Sequence, residues 1–308
     1  MQHALTERIE MLKRERSALI LAHNYQRSEI QDIADFSGDS LELSRKAARN
    51  EADVIVFCGV HFMAETAAVL SPSKTVLMPD LRAGCPMADM ITAAQLRELK
   101  AAHPEAKVIC YVNSTAEVKA ESDCCCTSAN AVDIVNAYSD AKEIIFVPDR
   151  NLGEHAAELS GRPLILWEGH CPVHVQISLE DIRTARSKHP DALVMVHPEC
   201  TRDVRTDAEE VLSTGQMCRF ARQSTCKEFI VGTETGILHR LNLENPGKRF
   251  YAARDTAICH DMKLTDMEKL AASLENMEFE VRIPANVVTG AKRAIENMLR
   301  ITEQAQAR

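Results

Sequence analysis

The stretch "LILWEGHCPVHV" (164–175) runs an apolar, strand-like segment, Leu164 to Trp167, straight into Glu168-Gly169-His170-Cys171-Pro172, with His174 three residues past the cysteine. In open α/β sheets the chemistry sits just beyond the carboxyl ends of the strands. A cysteine flanked by two histidines at such an end looks like half of a metal site. The other half is not nearby. A second cysteine in the same setting, Cys85 in "DLRAGCPM" (80–87), lies 86 residues earlier, and a third, Cys259 in "DTAICHDM" (255–262), lies 88 residues later.

Two further features share this period. Strands end in polar residues at "LILAHNYQ" (19–26), "VICYVNST" (108–115) and "LVMVHPECT" (193–201), which align Asn24, Asn113 and Glu199 at spacings of 89 and 86. A hydroxyl residue then opens a helix: Ser40 in "SGDSLELS", Ser128 in "CTSANAV" and Thr214 in "LSTGQMC", at spacings of 88 and 86. A period near 87 is too long for solenoid repeats of about 20–50 residues. Apolar runs such as "DVIVF" (53–57), "TVLM" (75–78), "KVICYV" (107–112), "EIIFV" (143–147) and "EFIV" (228–231) alternate with helical periodicity at 5–16, 40–50 and 91–103. That alternation predicts βαβ units and parallel sheets. The chain therefore reads as three similar α/β domains, 1–105, 106–190 and 191–308, with a packing helix over 285–305 that belongs to the third or rests on the first. Their polar strand ends converge on one central cavity if the domains meet about a pseudo-threefold axis.

Bulk properties narrow the class. The chain has 308 residues, 45% hydrophobic content and a net charge of −9, which argues against a nucleic-acid surface. No apolar run approaches the roughly 18 residues of a membrane span, and the N-terminus shows no secretory h-region, so a cytoplasmic location is expected. Thiols stay reduced there, which makes eleven cysteines ligands, nucleophiles or core residues rather than a disulfide framework.

Cys85, Cys171 and Cys259 in repeat register are candidate metal ligands; the alternative is three small core residues at domain junctions. The "DCCCTS" run (Cys124, Cys125, Cys126) is more conspicuous, but neighbouring side chains diverge, so it reads as packing at a helix start. Cys58, Cys110, Cys200, Cys218 and Cys226 read as core. Ser40, Ser128 and Thr214 are candidate helix caps, and helix N-termini bind carboxylates and phosphates. His23, Tyr25, Tyr111, Asn113, His197 and Glu199 sit at strand ends, with Glu199 a candidate general base. His174 is a further candidate; His61, His170 and His260 are weaker ones.

The motifs "AHNYQ", "GDSLELS", "GCPMADM", "YVNSTAEVKAESDCCCTSANA", "PDRNLG", "GHCPVH", "HPEC", "STGQM" and "CHDMKLT" resemble the quinolinate synthase family over about residues 17–300. The resemblance implies three homologous three-layer α/β domains with pseudo-threefold symmetry and the active site at their junction. It implies one [4Fe–4S] cluster held by Cys85, Cys171 and Cys259, with one open iron. The implied reaction condenses iminoaspartate with dihydroxyacetone phosphate to quinolinate, losing phosphate and two waters, in de novo NAD synthesis. Family substrate-binding positions fall on His23, Ser40, Tyr111, Asn113, Ser128, His174, His197, Glu199 and Thr214. Tyr25 and Glu199 match acid–base positions, with His197 beside them. A functional link to an L-aspartate oxidase or dehydrogenase is expected, and no nucleic-acid or membrane partner. Some members carry C-x-x-C-x-x-C at the third ligand; only Cys259 is present here, so no local thiol–disulfide switch is expected. The rival readings are a zinc-dependent lyase or aldolase, completed by His174 or His197, and a non-catalytic iron–sulfur sensor.

Overall fold

The computed structural model describes residues 2–307. Its scaffold is three four-stranded sheets, each formed by one contiguous stretch of chain. The first joins β1 (Ala18–His23), β2 (Phe36–Gly38), β3 (Val54–Cys58) and β4 (Thr75–Leu77) in the order β2-β1-β3-β4. The second repeats this order with β5 (Lys107–Tyr111), β6 (Cys124–Cys126), β7 (Ile144–Val147) and β8 (Ile165–Leu166), as β6-β5-β7-β8. The third repeats it again with β9 (Leu193–Val196), β10 (Glu210–Val211), β11 (Glu228–Gly232) and β12 (Arg249–Ala252). Every pairing is parallel. Helices cover the sheets, so the central strands are buried on both faces. That is why they read as continuous apolar runs and not as alternating ones.

One local device recurs in all three sheets. Asp35, Asp123 and Glu209 each donate a backbone N–H to the first strand, at Ile20, Val108 and Val194 O, over 3.0–3.1 Å. Their carboxylates each accept the N–H of that same strand residue, over 2.8–2.9 Å. This double clamp starts the short outer strands β2, β6 and β10. Their residues form no run of branched apolar side chains, unlike the equally short β4 and β8, so the sequence reading passed over them.

The "DCCCTS" run is one of these. Cys124, Cys125 and Cys126 form strand β6, in register with Ile109, Cys110 and Tyr111, and not a helix start. All three are fully buried, and the helix begins only at Ala131. The error has a simple source: a three-residue edge strand leans on the register of its neighbour, which local sequence does not reveal.

The chain beyond residue 265 packs on the first two sheets. Helix Met267–Asn276 and the N-terminal helix Gln2–Glu15 cover one face of the first sheet, where Leu270 and Leu274 meet Ile9, Leu12, Ile20 and Val54. Residues 279–281 then run antiparallel beside β4, with Met78 N–H on Phe279 O and Val281 N–H on Val76 O. Helix Ala285–Gln306 lies against helix Ala116–Ala120, β6 and helix Ala131–Ala137, not chiefly on the first unit as the sequence reading allowed. Its buried stripe, Val287, Ala291, Ala294, Ile295 and Met298, has helical spacing. Asn297 Nδ2 on Asp123 O (2.9 Å) and Asn130 Nδ2 on Thr302 Oγ1 (2.8 Å) fix its register.

Candidate active site

In each sheet the strand order reverses between the first and third strands in sequence, and a parallel sheet binds ligands at such a switch point. His23 ends β1, Tyr111 ends β5 and His197 follows β9 directly. These three switch points open on one cavity of about 250 Å³. The stronger candidates taken from the sequence all line it: His23, Tyr25, Ser40, Tyr111, Asn113, Ser128, His174, His197, Glu199, Thr214 and the cysteines 85, 171 and 259. His260 also lines the cavity; His61 and His170 do not.

Glu199 is the hub, in the turn after β9 that Cys200 N–H closes onto His197 O (3.0 Å). Its Oε1 accepts from Tyr111 OH (2.6 Å) and, more weakly, from Asn113 Nδ2 (3.4 Å). Its Oε2 lies 2.6 Å from His174 Nδ1. Burial pushes the Glu199 carboxyl up, but the His174 and His197 rings, then the bonds from His174 and Tyr111, outweigh it and hold it at about 2. Glu199 is thus an anion at neutral pH. The His174 and His197 rings stack at 4.6 Å. His174 Nε2 is 2.8 Å from Thr233 Oγ1, which is 2.6 Å from Tyr25 OH, so a polar chain links Glu199 to Tyr25.

Burial sets the other ionisations. It lowers His23 and His197 to about 3, against the pull of Glu199, so both rings are neutral. Burial, and then the Glu199 charge, raise Tyr25 and Tyr111 well above the ordinary phenol value, so both keep their protons. Among the described residues, no lysine or arginine lines the cavity.

The hydroxyl residues are not helix caps. Asp39 caps helix Ser40–Ala48, accepting from Leu41 and Glu42 N–H, and Ser213 caps helix Thr214–Gln223 by accepting from Gln216 N–H. Ser128 precedes its helix by three residues. Because neighbours do the capping, these hydroxyls are available to the cavity. Ser128 Oγ is 3.2 Å from His197 Nε2, and Thr214 Oγ1 accepts from Asn24 Nδ2 (2.9 Å). The buried Asn113 Oδ1 has no protein partner, an acceptor left for a ligand.

Each candidate ligand cysteine follows the last strand of its sheet and precedes a short 3₁₀ turn: Ala88–Met90, His174–Gln176 or Asp261–Leu264. Burial raises Cys85 to about 12 and Cys259 to about 11, and Cys171 well above its ordinary value. Amides from the following turn oppose that rise in every case: Ala88 and Met87, His174 and Val173, and Met262. Three half-buried thiols, each aimed at amides that favour its thiolate, are protonated until a cation compensates. That donor set fits a metal cluster. Cys171, His174 and Glu199 also crowd within 4.8 Å of one another. His174 Nδ1 lies 2.6 Å from Glu199 Oε2 and 3.1 Å from Cys171 Sγ, within hydrogen-bonding distance of both.

The sequence reading missed Thr233 and Glu234, just past β11 in "VGTETG". Asp149 in "VPDRNLG" occupies the same place past β7, 85 residues earlier, so the repeat register was a usable signal. Asp39, which caps the helix that Ser40 opens and accepts from Ser213 Oγ, and Asn24, which donates to Thr214, were also unassigned.

Comparison with known proteins agrees with this geometry. A family model described as "Quinolinate synthetase A protein" matches residues 7–300. A protein named quinolinate synthase from Dehalococcoides mccartyi (strain CBDB1) is 56% identical over 297 residues, 96% of this chain and 98% of that protein. Proteins of the same name from Desulforudis audaxviator and Methanosarcina barkeri are 54% and 52% identical, over 96% and 97% of this chain and 97% and 98% of their own lengths. The chain belongs to the quinolinate synthase A family.

Proposed function

We propose that this protein condenses iminoaspartate with dihydroxyacetone phosphate to quinolinate, releasing phosphate and two waters. The observation that carries the reading is the meeting, in one cavity, of a cysteine and a polar strand end from each of three separate sheets, in a chain of this family.

Cys85, Cys171 and Cys259 are assigned as the protein ligands of one [4Fe–4S] cluster with an open iron. When bound, that iron supplies a Lewis acid able to draw hydroxide from carbon. The chain's own residues supply the rest. A cavity without lysine or arginine holds its anionic substrates through neutral donors: the hydroxyls of Ser40, Ser128 and Thr214, the Asn113 amide, and the His23 and His197 rings. Tyr25, which keeps its proton, is the acid for a departing oxygen. Glu199, kept ionised, accepts the proton from carbon, and a nearby anionic substrate strengthens it as a base. Tyr111 and His174 orient its two oxygens. Burial of the cavity excludes water from an imine that water would hydrolyse. An aspartate oxidase or dehydrogenase would supply that unstable substrate, and the cytoplasm is the expected compartment.

The test is anaerobic. Purified protein supplied with iminoaspartate and dihydroxyacetone phosphate should form quinolinate and contain about four irons per chain. A colourless zinc protein active on other substrates, or an iron protein that forms no quinolinate, would overturn the proposal. Cys171→Ala should lose both the cluster and the activity. Retention of activity would remove Cys171 from the ligand set.

A further inference from the structure

Past β11 lies a buried charge pair that the reaction scheme does not use. Glu234 is fully buried, and all its acceptor capacity is directed at three groups. Oε1 accepts from the Cys259 backbone N–H (3.2 Å), Oε2 from the Gly236 N–H (2.7 Å), and Lys263 Nζ lies 3.0 Å from Oε1. Lys263 Nζ also donates to the backbone carbonyl of Tyr25, and Arg27 Nε donates to Lys263 O (2.9 Å). A single pair therefore bonds the loop bearing Cys259, in the third repeat, to the segment bearing Tyr25, in the first.

The junction is built for close approach. A Cβ at Gly236 would lie 2.7 Å from Lys263 Nζ, 2.8 Å from Glu234 Oε2 and 2.8 Å from Tyr25 O, so only glycine fits without a shift. A buried ion pair is weak evidence of stabilisation, because desolvation offsets much of the attraction; its best-attested use is to fix one arrangement among several. The corresponding acid of the second repeat, Asp149, lies against the Cys171 amide and feels the charge of Arg205, but its Oδ2 has no hydrogen-bond partner among the described residues. In the first repeat the place past β3 is taken by apolar Val60. The cross-link exists at one leg of the three.

We propose that Glu234 and Lys263 are positioning residues that hold the Cys259 ligand in register with Tyr25, fixing the distance between the cluster and the acid of the reaction. The inference rests on the cluster assignment and reaction given above. Lys263 reaches Tyr25 through the backbone carbonyl, so it sets where the phenol stands without touching substrate.

The experiment compares anaerobically reconstituted wild type with Lys263→Met, Lys263→Arg, Glu234→Gln and the double variant Glu234→Gln/Lys263→Met. Two readouts are taken: the rate of iron release to a ferrous chelator, which needs no turnover, and kcat and KM for quinolinate formation. Outer-shell partners of metal ligands typically matter by about 10–100-fold, so K263M and E234Q should release iron faster and lose kcat within that range. KM should change far less, and K263R should recover part of both losses. The double variant leaves no buried charge unpaired and carries the same test if K263M does not fold; it should remain defective. Wild-type iron release and kcat in the double variant would overturn the proposal, because they would show that only an uncompensated charge had mattered. Absence of quinolinate from the wild type would refute the reaction instead, and iron release would still score the pair.

Discussion

At the residue scale, the site works by controlling protons in a buried space. Glu199 is the clearest case: alone in such surroundings it would take up a proton, and it stays ionised because Tyr111, Asn113, His174 and His197 surround it. Tyr111→Phe removes its shortest phenolic bond with almost no change of shape. A hydrogen bond to a charged group is worth about 1.5–3 kcal/mol, so kcat/KM should fall roughly ten- to a hundredfold. The Glu199 carboxyl should also rise, because a donor that favours its charged form is gone. The acid limb of kcat/KM against pH should then move to higher pH. An unmoved limb would mean that the histidines alone hold the charge. Glu199 and Tyr25 were readable as candidates from their position at strand ends, though an acid–base role for Tyr25 came only from the family resemblance; the polar chain through His174 and Thr233 was not readable, because it joins residues 208 apart in sequence, Tyr25 to Thr233.

At the scale of elements, the sequence revealed the long central strands and the period near 87, and it failed where an element carries no run of branched apolar side chains or its partner is too remote. β1, β5 and β9 announce themselves as apolar runs closed by polar residues, whereas β2, β6 and β10 exist because an acidic clamp and a neighbouring strand hold them. The C-terminal helix shows the second limit: its apolar stripe said that it packs, and only the surface of helix Ala116–Ala120 decided where. Gly290 marks that contact. A Cβ there would lie 2.7 Å from the Ala120 carbonyl oxygen, which is backbone and cannot move aside cheaply. In an isolated helix Gly→Ala gains about 1 kcal/mol. At this position the overpacking, typically about 1–3 kcal/mol, should dominate, and Gly290→Ala should lower the thermal midpoint. A higher midpoint on thermal unfolding would mean that the two helices separate readily.

At the scale of the whole molecule, three sheets bring neutral histidines together in a cavity proposed to accept anions, and this leaves a mark on stability. The convergence itself was legible from the cysteines and strand ends, but the depth of burial that neutralises His23 and His197 depends on how the three units close and is invisible in any one of them. Both rings have folded-state values near 3, below the ordinary 6.5. Between those values the unfolded chain binds protons that the folded chain refuses, so stability is complete above about pH 6.5 and is lost as pH falls towards 3. Buried acids with raised values, Asp149, Glu65 and Glu234 among them, contribute the opposite slope above the ordinary carboxylate range, so the total curve mixes the two. A difference measurement isolates one ring. In cluster-free protein unfolded by urea at fixed pH, His23→Gln should weaken the dependence of stability on pH between 4 and 6.5 by up to about 1.4 kcal/mol per pH unit, the value of one proton. Parallel curves for the two proteins would show that His23 takes up its proton alike in the folded and unfolded chain, and the claim that burial keeps the ring neutral would fall with it.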